Sequence, residues 1–293
     1  MGRDLYERSP EARAVFDQAD DQLGFALSAL CFDGPEGVLT DTSNQQPALF
    51  VTSMAAWQTM LAQGWEAPAF AAGHSLGEFS ALAAAGALSF ADGLRLVQRR
   101  GALMKLAGER EPGAMAAILA LDTAVIHTIC AQSSEEIGRP VQIANDNCPG
   151  QIVISGDKDA LARALELAQE AGARRVVPLQ ISIAAHSPLM ASSATEFALA
   201  VDDTPIQAPQ IPVIGNVSGR PLTTAADIRA ELKAQLTSPV AWTDSINYLI
   251  EQGVDTFVEV GAGEVLLGLV KRINRQVKRI KFEVGDLELE TGG

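Results

Sequence analysis

The stretch Phe70–Ser89, FAAGHSLGEFSALAAAGALS, limits what this chain can become more than any other. An apolar run ends on Gly73, then His74, Ser75, Leu76 and Gly77 follow, and helix formers take over at once. This is the G-x-S-x-G pattern of a nucleophile elbow, in the strand-to-helix context that an elbow needs. The turn is expected to be too tight for side chains two positions either side of the serine, and it lifts the hydroxyl above a sheet. The following helix presents its positive end there. The Leu76 N–H then faces an oxyanion forming on a bound carbonyl. A serine that merely caps the helix is the competing reading.

A serine nucleophile needs a general base, and histidine is the usual one. The chain has three histidines. His74 sits inside the elbow, where neighbouring side chains point apart. His127 falls in the predicted helix DTAVIHTICAQ as a packed or surface residue. Elimination leaves His186, on a loop in SIAAHSPLM. A triad of esterase type asks for an acid between Ser75 and His186 in chain order. Asp146, Asp157 and Asp159 are available, or a neutral acceptor such as a backbone carbonyl orients the histidine instead. A Ser–His dyad suffices for a thioester.

In LRLVQRRGALMKL, Val97, Arg100 and Met104 share one helical face, so Arg100 lies on a stripe that turns inward, whereas Arg99 is solvated. A buried guanidinium must be paired. Its partner is either a structural acid or the carboxylate of a substrate, which arginine's planar fork grips in bidentate fashion.

Around these residues the pattern is α/β. QQPALFVTSMAAWQTMLAQG and SFADGLRLVQRRGALMKLAG read as helices, the second with Ser89 as its cap and Gly108 as its stop, and APAFAAG reads as a buried strand. From about residue 111 to residue 180 the order becomes strand–helix–strand–strand–helix–strand, that of a ferredoxin-like unit. α/β elements then resume. The predicted architecture is thus an α/β core with a mostly parallel sheet from 1–110 and 181–293, plus an inserted ferredoxin-like subdomain at 111–180. The tail EVGDLELETGG is acidic and expected to fray.

Composition narrows the function. With 22 Lys and Arg against 36 Asp and Glu the formal charge is −14, which argues against nucleic acid as partner. No apolar run reaches the roughly 18 residues of a membrane span, and no apolar leader is visible at MGRDLYERSPEARAVFDQAD. Cys31, Cys130 and Cys148 are scattered, without metal-ligand spacing, as expected of reduced thiols in a cytoplasm. VEVGAGEVLLG, with Gly261, Gly263 and Gly268, is off the dinucleotide fingerprint and reads as a plain strand–helix turn. A serine hydrolase, with water as the acceptor, shares the elbow.

QPALF, GHSLGE, RRGALM, NCPGQIVISG, AAHSPLM and VEVGAGEVLLGLVKRI together give the chain a family. It resembles the malonyl-CoA:acyl carrier protein transacylases of fatty acid synthesis and the acyltransferase domains of polyketide synthases. The likeness runs from the first residues to around Ile280. It implies an α/β-hydrolase-like core with a ferredoxin-like subdomain, malonyl-CoA and acyl carrier protein as substrates, and no cofactor or metal. It implies Ser75 as the acylated residue, His186 as its base, Arg100 as the malonyl clamp and Leu76 as an oxyanion-hole donor. Gln235 corresponds to the residue whose carbonyl orients the histidine, and Met104 and Asn147 to residues near the acyl pocket. Family members carry a strand and a loop reading like GQGSQ ahead of the segment matching MGRDLYE. That loop supplies a second oxyanion donor, so this sequence, which starts after it, is expected to lack a group worth about 10²–10³ in rate. An acidic carrier and an acidic chain repel, so a local basic surface is expected. Lys271, Arg272, Arg275, Lys278, Arg279 and Lys281, or Arg174 and Arg175, offer one.

Overall fold

The structure, a computed structural model, describes residues 1–284. The acidic tail from Glu283 therefore lies, beyond its first two residues, outside the described region.

The helices form where caps and apolar spacing coincide. Asp41 caps Thr42–Ala62 by accepting from the Ser43 N–H, and Phe50, Val51, Met54 and Ala55 of that helix are buried. Because this cap lies upstream of the expected start, Pro47 falls within the second turn. Ser89 caps Phe90–Arg110, its hydroxyl accepting from the Asp92 N–H at 3.0 Å. Gly108 does not end that helix, which continues to Arg110. A Cβ there would lie 2.7 Å from Ile183 Cγ1, so the glycine serves a close contact. These two helices pack together with Phe79, Leu94, Leu103 and Phe197 in the largest hydrophobic core.

The strands are β1 (Ala71–Ala72), β2 (Gly113–Leu119), β3 (Val141–Cys148), β4 (Gln151–Asp157) and β5 (Arg175–Pro178). They are followed by β6 (Val213–Ile214), β7 (Pro221–Leu222), β8 (Val240–Ala241), β9 (Thr256–Glu259) and β10 (Lys278–Lys281). The largest sheet runs β5-β2-β4-β3-β8. Within it β2 pairs antiparallel with both β4 and β5, as β3 does with β4, and only β8 joins in parallel, on Asn145 and Asp146 of β3. Helices Thr123–Ile137 and Lys158–Glu170 pack on β2–β5 around a separate core of Ile118, Ile126, Ile154 and Leu161.

Outside this unit the pairing is mostly parallel, as expected, but the strands do not form one sheet. Pairing is parallel between β1 and β6 and between β9 and β10, but β6–β7 is antiparallel, and the strands form two small separate sheets. The strands are short for a visible reason. β1 runs straight into the serine turn, and β6, preceded by Pro212, gives up its ladder at Asn216, whose side chain turns to that same serine. The site thus sits at the end of β1, beneath Phe90–Arg110 and beside the segment leading into β8. No helix among the described residues is long and apolar enough to cross a membrane.

Candidate active site

Ser75 has φ 51°, a left-handed conformation that costs a non-glycine residue on the order of 1–3 kcal/mol. Asn216 holds it there. The Asn216 Oδ1 accepts from the Ser75 N–H at 2.6 Å, and its Nδ2 donates to the Gly73 carbonyl at 2.7 Å. The two glycines of the motif are not equivalent. A Cβ on Gly73 would lie 2.0 Å from the Gly77 carbonyl carbon and oxygen, whereas one on Gly77 would meet open space. Only Gly73 is required by the tightness of the turn, since the backbone of the helix's first turn crosses on its side alone.

His186 lies 111 residues away in sequence, yet its Nε2 is 2.8 Å from Ser75 Oγ. Its Nδ1 faces the carbonyls of Gln235 at 2.9 Å and Ser238 at 3.1 Å. Carbonyls only accept, so Nδ1 carries the proton and Nε2 is left as the acceptor facing the serine. Burial, reinforced by the positive Arg100, pushes the imidazole down to about 3 and keeps it neutral. The acids open to a triad are elsewhere. Asp146 accepts from Thr123 and Thr243, Asp157 caps a helix and pairs with Arg139, and Asp159 is exposed. Of the other histidines, His74 Nε2 lies 2.8 Å from Asn147 Oδ1, and His127 is exposed.

Arg100 is 1 % exposed. Its Nη2 donates to Ser75 Oγ at 3.1 Å, Nη1 to Gln46 Oε1 at 2.9 Å and Nε to Gln235 Oε1 at 3.2 Å. The guanidinium also lies over the Phe79 ring, 5.7 Å from its centroid. Burial lowers it to about 10, against the pull of Glu78, so it stays charged at neutral pH. Among the described residues no carboxylate lies within ion-pair distance of it. Arg99, one position away, faces solvent and pairs with Glu196.

Leu76 is buried, and its N–H, at the start of helix Gly77–Ala84, meets no acceptor among the described residues. Met104 is buried, with its Sδ 3.1 Å from Gln46 Nε2. Asn147 stands at an irregularity in the β3–β4 register, where the extra residue re-aims its side chain toward His74. The structure thus brings Ser75, His186, Arg100, Leu76 and Gln235 together, ties Met104 in through Gln46, and sets Asn147 one histidine away. Four participants were not singled out by sequence reasoning: Gln46, Glu78, Asn216 and Gln142, whose Nε2 donates to the carbonyls of His186 and Thr237. Gln46 and Glu78 stood inside the quoted motifs QPALF and GHSLGE, but nothing in their spacing marked them.

The glycine turn at Gly261 behaves as a packing feature. A Cβ there would lie 2.6 Å from Ser53 Oγ, and the Glu259 carboxylate already accepts from the Leu266 and Leu267 N–H groups at the following helix terminus.

The acyl transferase domain profile matches residues 1–287. The chain belongs to the acyl transferase domain family. Members of that family stand close to it in sequence. The malonyl CoA-acyl carrier protein transacylase of Bacillus subtilis (strain 168) is 48% identical over 280 residues, spanning 96% of this chain and 88% of that protein. The solved malonyl CoA-acyl carrier protein transacylase of Coxiella burnetii superposes with a TM-score of 0.95 at 38% identity, covering 99% of this chain and 92% of that one. A malonyl-transacylase solved in complex with a type II PKS acyl-carrier protein gives 0.93 at 40% identity, covering 96% and 90%. The fold is accordingly the mixed α/β fold of these acyl transferases.

Proposed function

We propose that this chain moves a malonyl group from malonyl-CoA to the phosphopantetheine thiol of an acyl carrier protein, through a malonyl ester on Ser75, in the cytoplasm and in the service of fatty acid synthesis. The Bacillus subtilis and Coxiella burnetii relatives are named malonyl CoA-acyl carrier protein transacylases, which supports this reading. His186 Nε2 takes the Ser75 proton as Oγ attacks the thioester carbonyl, and the Leu76 N–H receives the developing oxyanion. The tetrahedral intermediate collapses, the C–S bond breaks, and His186 returns its proton to the CoA sulfur. The carrier's thiol then repeats the sequence in reverse on the ester. Gln235 and Ser238 hold the imidazole in the tautomer that both halves need. No step in this scheme calls on a cofactor.

One observation carries the choice of acyl group. Arg100 is a buried cation 3.1 Å from the nucleophile, met by neutral oxygens instead of a carboxylate. Three of its five N–H groups are met by neutral oxygens, which leaves donors for an anion, and the free carboxylate of a malonyl group suits both this chemistry and the short reach from Ser75. In this reading Met104 and Asn147 border the acyl pocket. The strand order β5-β2-β4-β3, all antiparallel, supports reading 111–180 as a ferredoxin-like subdomain on an α/β-hydrolase-like core of 1–110 and 181–293. Service to a polyketide carrier is the second reading, favoured by the relative in complex with such a carrier. Transfer rates to the two kinds of carrier decide between them.

Intact-mass spectrometry after brief exposure to malonyl-CoA and to acetyl-CoA tests the proposal. Ser75 is expected to gain a malonyl mass, and Ser75→Ala none. With Arg100→Ala, malonyl loading falls about 10–100-fold, the worth of a charge-assisted pair, while acetyl loading does not. Unchanged malonyl loading in Arg100→Ala without any gain in use of acetyl-CoA defeats the clamp.

A further inference from the structure

One buried acid has no part in the steps above. Glu78 is fully buried in the first turn of the helix behind Ser75. Its two oxygens meet two different partners: Oε1 accepts from the Asn216 N–H at 3.0 Å, and Oε2 from the Gln235 side-chain amide. Each partner in turn holds the reacting groups. Asn216 grips the serine turn at the Ser75 N–H and the Gly73 carbonyl. Gln235 reaches three others. Its Nε2 donates to the Ser75 carbonyl at 3.0 Å, its Oε1 accepts from Arg100 Nε at 3.2 Å, and its backbone carbonyl accepts from His186 Nδ1 at 2.9 Å.

Resting on the malonyl-transfer reading, we infer that Glu78 is a positioning residue whose carboxylate fixes which way the Gln235 amide faces, and through it where Arg100 stands against Ser75. An amide's two ends are told apart only by what they meet. A carboxylate at the Nε2 end commits Oε1 to the arginine; with the amide turned over, two donors would face each other. Glu78 is also the acid whose field acts on Arg100. The amide stands between the two, so no carboxylate of the protein occupies the guanidinium, and each Nη, bonded once to Gln46 or to Ser75, keeps a second N–H for a substrate carboxylate. Burial, and then the neighbouring Glu231, push the Glu78 carboxyl up to about 8 against the pull of the Asn216 N–H, the Gln235 amide and Arg100. Its role toward Gln235 rests on geometry, since both of its oxygens face donors and act as acceptors.

Glu78→Gln keeps the shape and changes the chemistry. Its carbonyl still accepts from the Asn216 N–H, but its NH₂ now faces the Gln235 NH₂. The expected protein folds, yet its kcat/KM for malonyl loading falls about tenfold or more, with KM raised as well as kcat lowered, and its ratio of malonyl to acetyl loading drops. A purely structural role would lower the melting temperature alone. Wild-type kcat, KM and loading ratio in the folded variant overturn the inference. A double-mutant cycle adds a second check. If Glu78 acts through Gln235, the Glu78→Gln/Gln235→Ala protein is no slower than Gln235→Ala, and additive losses overturn it. Should Glu78→Gln not fold, Gln235→Met breaks the same link from the other side, and a wild-type loading ratio there overturns it equally. A wild-type protein that never gains malonyl on Ser75 defeats the transfer reading. A malonylated wild type with an indifferent Glu78→Gln defeats only this inference.

Discussion

At the scale of single residues, the proposed base owes its protonation state to its surroundings. His186 is 3 % exposed, and its Nδ1 is committed to two carbonyls, so a further proton can arrive only at Nε2. Burial first, and then Arg100, lowers its affinity for a solvent proton from the ordinary 6.5 to about 3. The base form therefore persists in acid. Single-turnover acylation of Ser75 by malonyl-CoA is expected to stay level down to about pH 5.5, where an ordinary histidine would be about nine-tenths protonated. A rate profile bending near 6.5 would contradict this environment. The linkage to stability has a definite sign. The unfolded chain takes up a proton that the native state refuses, so this histidine's contribution is complete above about 6.5 and is lost as pH falls from there toward about 3. Ser75, His186 and Arg100 were legible in the sequence because each carries a signal of its own: a motif, elimination among three histidines, and an inward stripe. Gln46, Asn216 and Gln142 were not. Neutral amides acquire meaning only from partners far along the chain, as in the 141 residues between Ser75 and Asn216.

The elements show the same division between what is local and what is not. Helices and the β2–β5 unit were readable because caps, alternation and turn residues lie within the segments themselves. APAFAAG and IPVIGNV looked like longer strands than they are. IPVIGNV is buried over Val213–Asn216, but APAFAAG is not the buried strand its apolar run suggests: Ala67 and Ala69 are exposed and Phe70, Ala71 and Ala72 only half-buried. Ladder length is set by where neighbours stop pairing, here at the serine turn. That turn sets two glycines against each other in a way that stability can measure. Gly73→Ala drives a Cβ into backbone at 2.0 Å and should cost about 3 kcal/mol, if the protein folds at all. Gly77→Ala adds a methyl in open space at the start of a helix and should leave stability unchanged or raise it by up to about 1 kcal/mol. Thermal unfolding of the two variants side by side checks the pair, and equal losses would mean that the turn is not crossed as described.

For the whole molecule, the difficulty is charge. A formal charge of −14 repels an acidic carrier protein at any distance where screening permits, so productive encounter needs a basic face near Ser75. The C-terminal basic residues are unequal candidates for it. Arg279 donates its Nη1 to nearby carbonyls and Lys281 pairs with Glu283, so both are already engaged. Lys271, Arg272, Arg275 and Lys278 are exposed, and Arg272 donates to Gln151 at the first residue of β4. Gln151 pairs with Cys148, the neighbour of Asn147, and Asn147 contacts His74 beside Ser75. One hairpin therefore separates this basic segment from Ser75. Arg174 and Arg175 are exposed as well, but stand at the start of β5, the far edge of the same sheet from β8. If the carrier docks at the helix end and the turn after it, reversing Arg272 and Arg275 to Glu should raise the KM for carrier severalfold, leave malonyl loading from CoA unchanged, and lose its effect as salt is added. An unchanged KM would move the docking face elsewhere. Arg174→Glu/Arg175→Glu measured in parallel would then show whether the opposite edge receives the carrier.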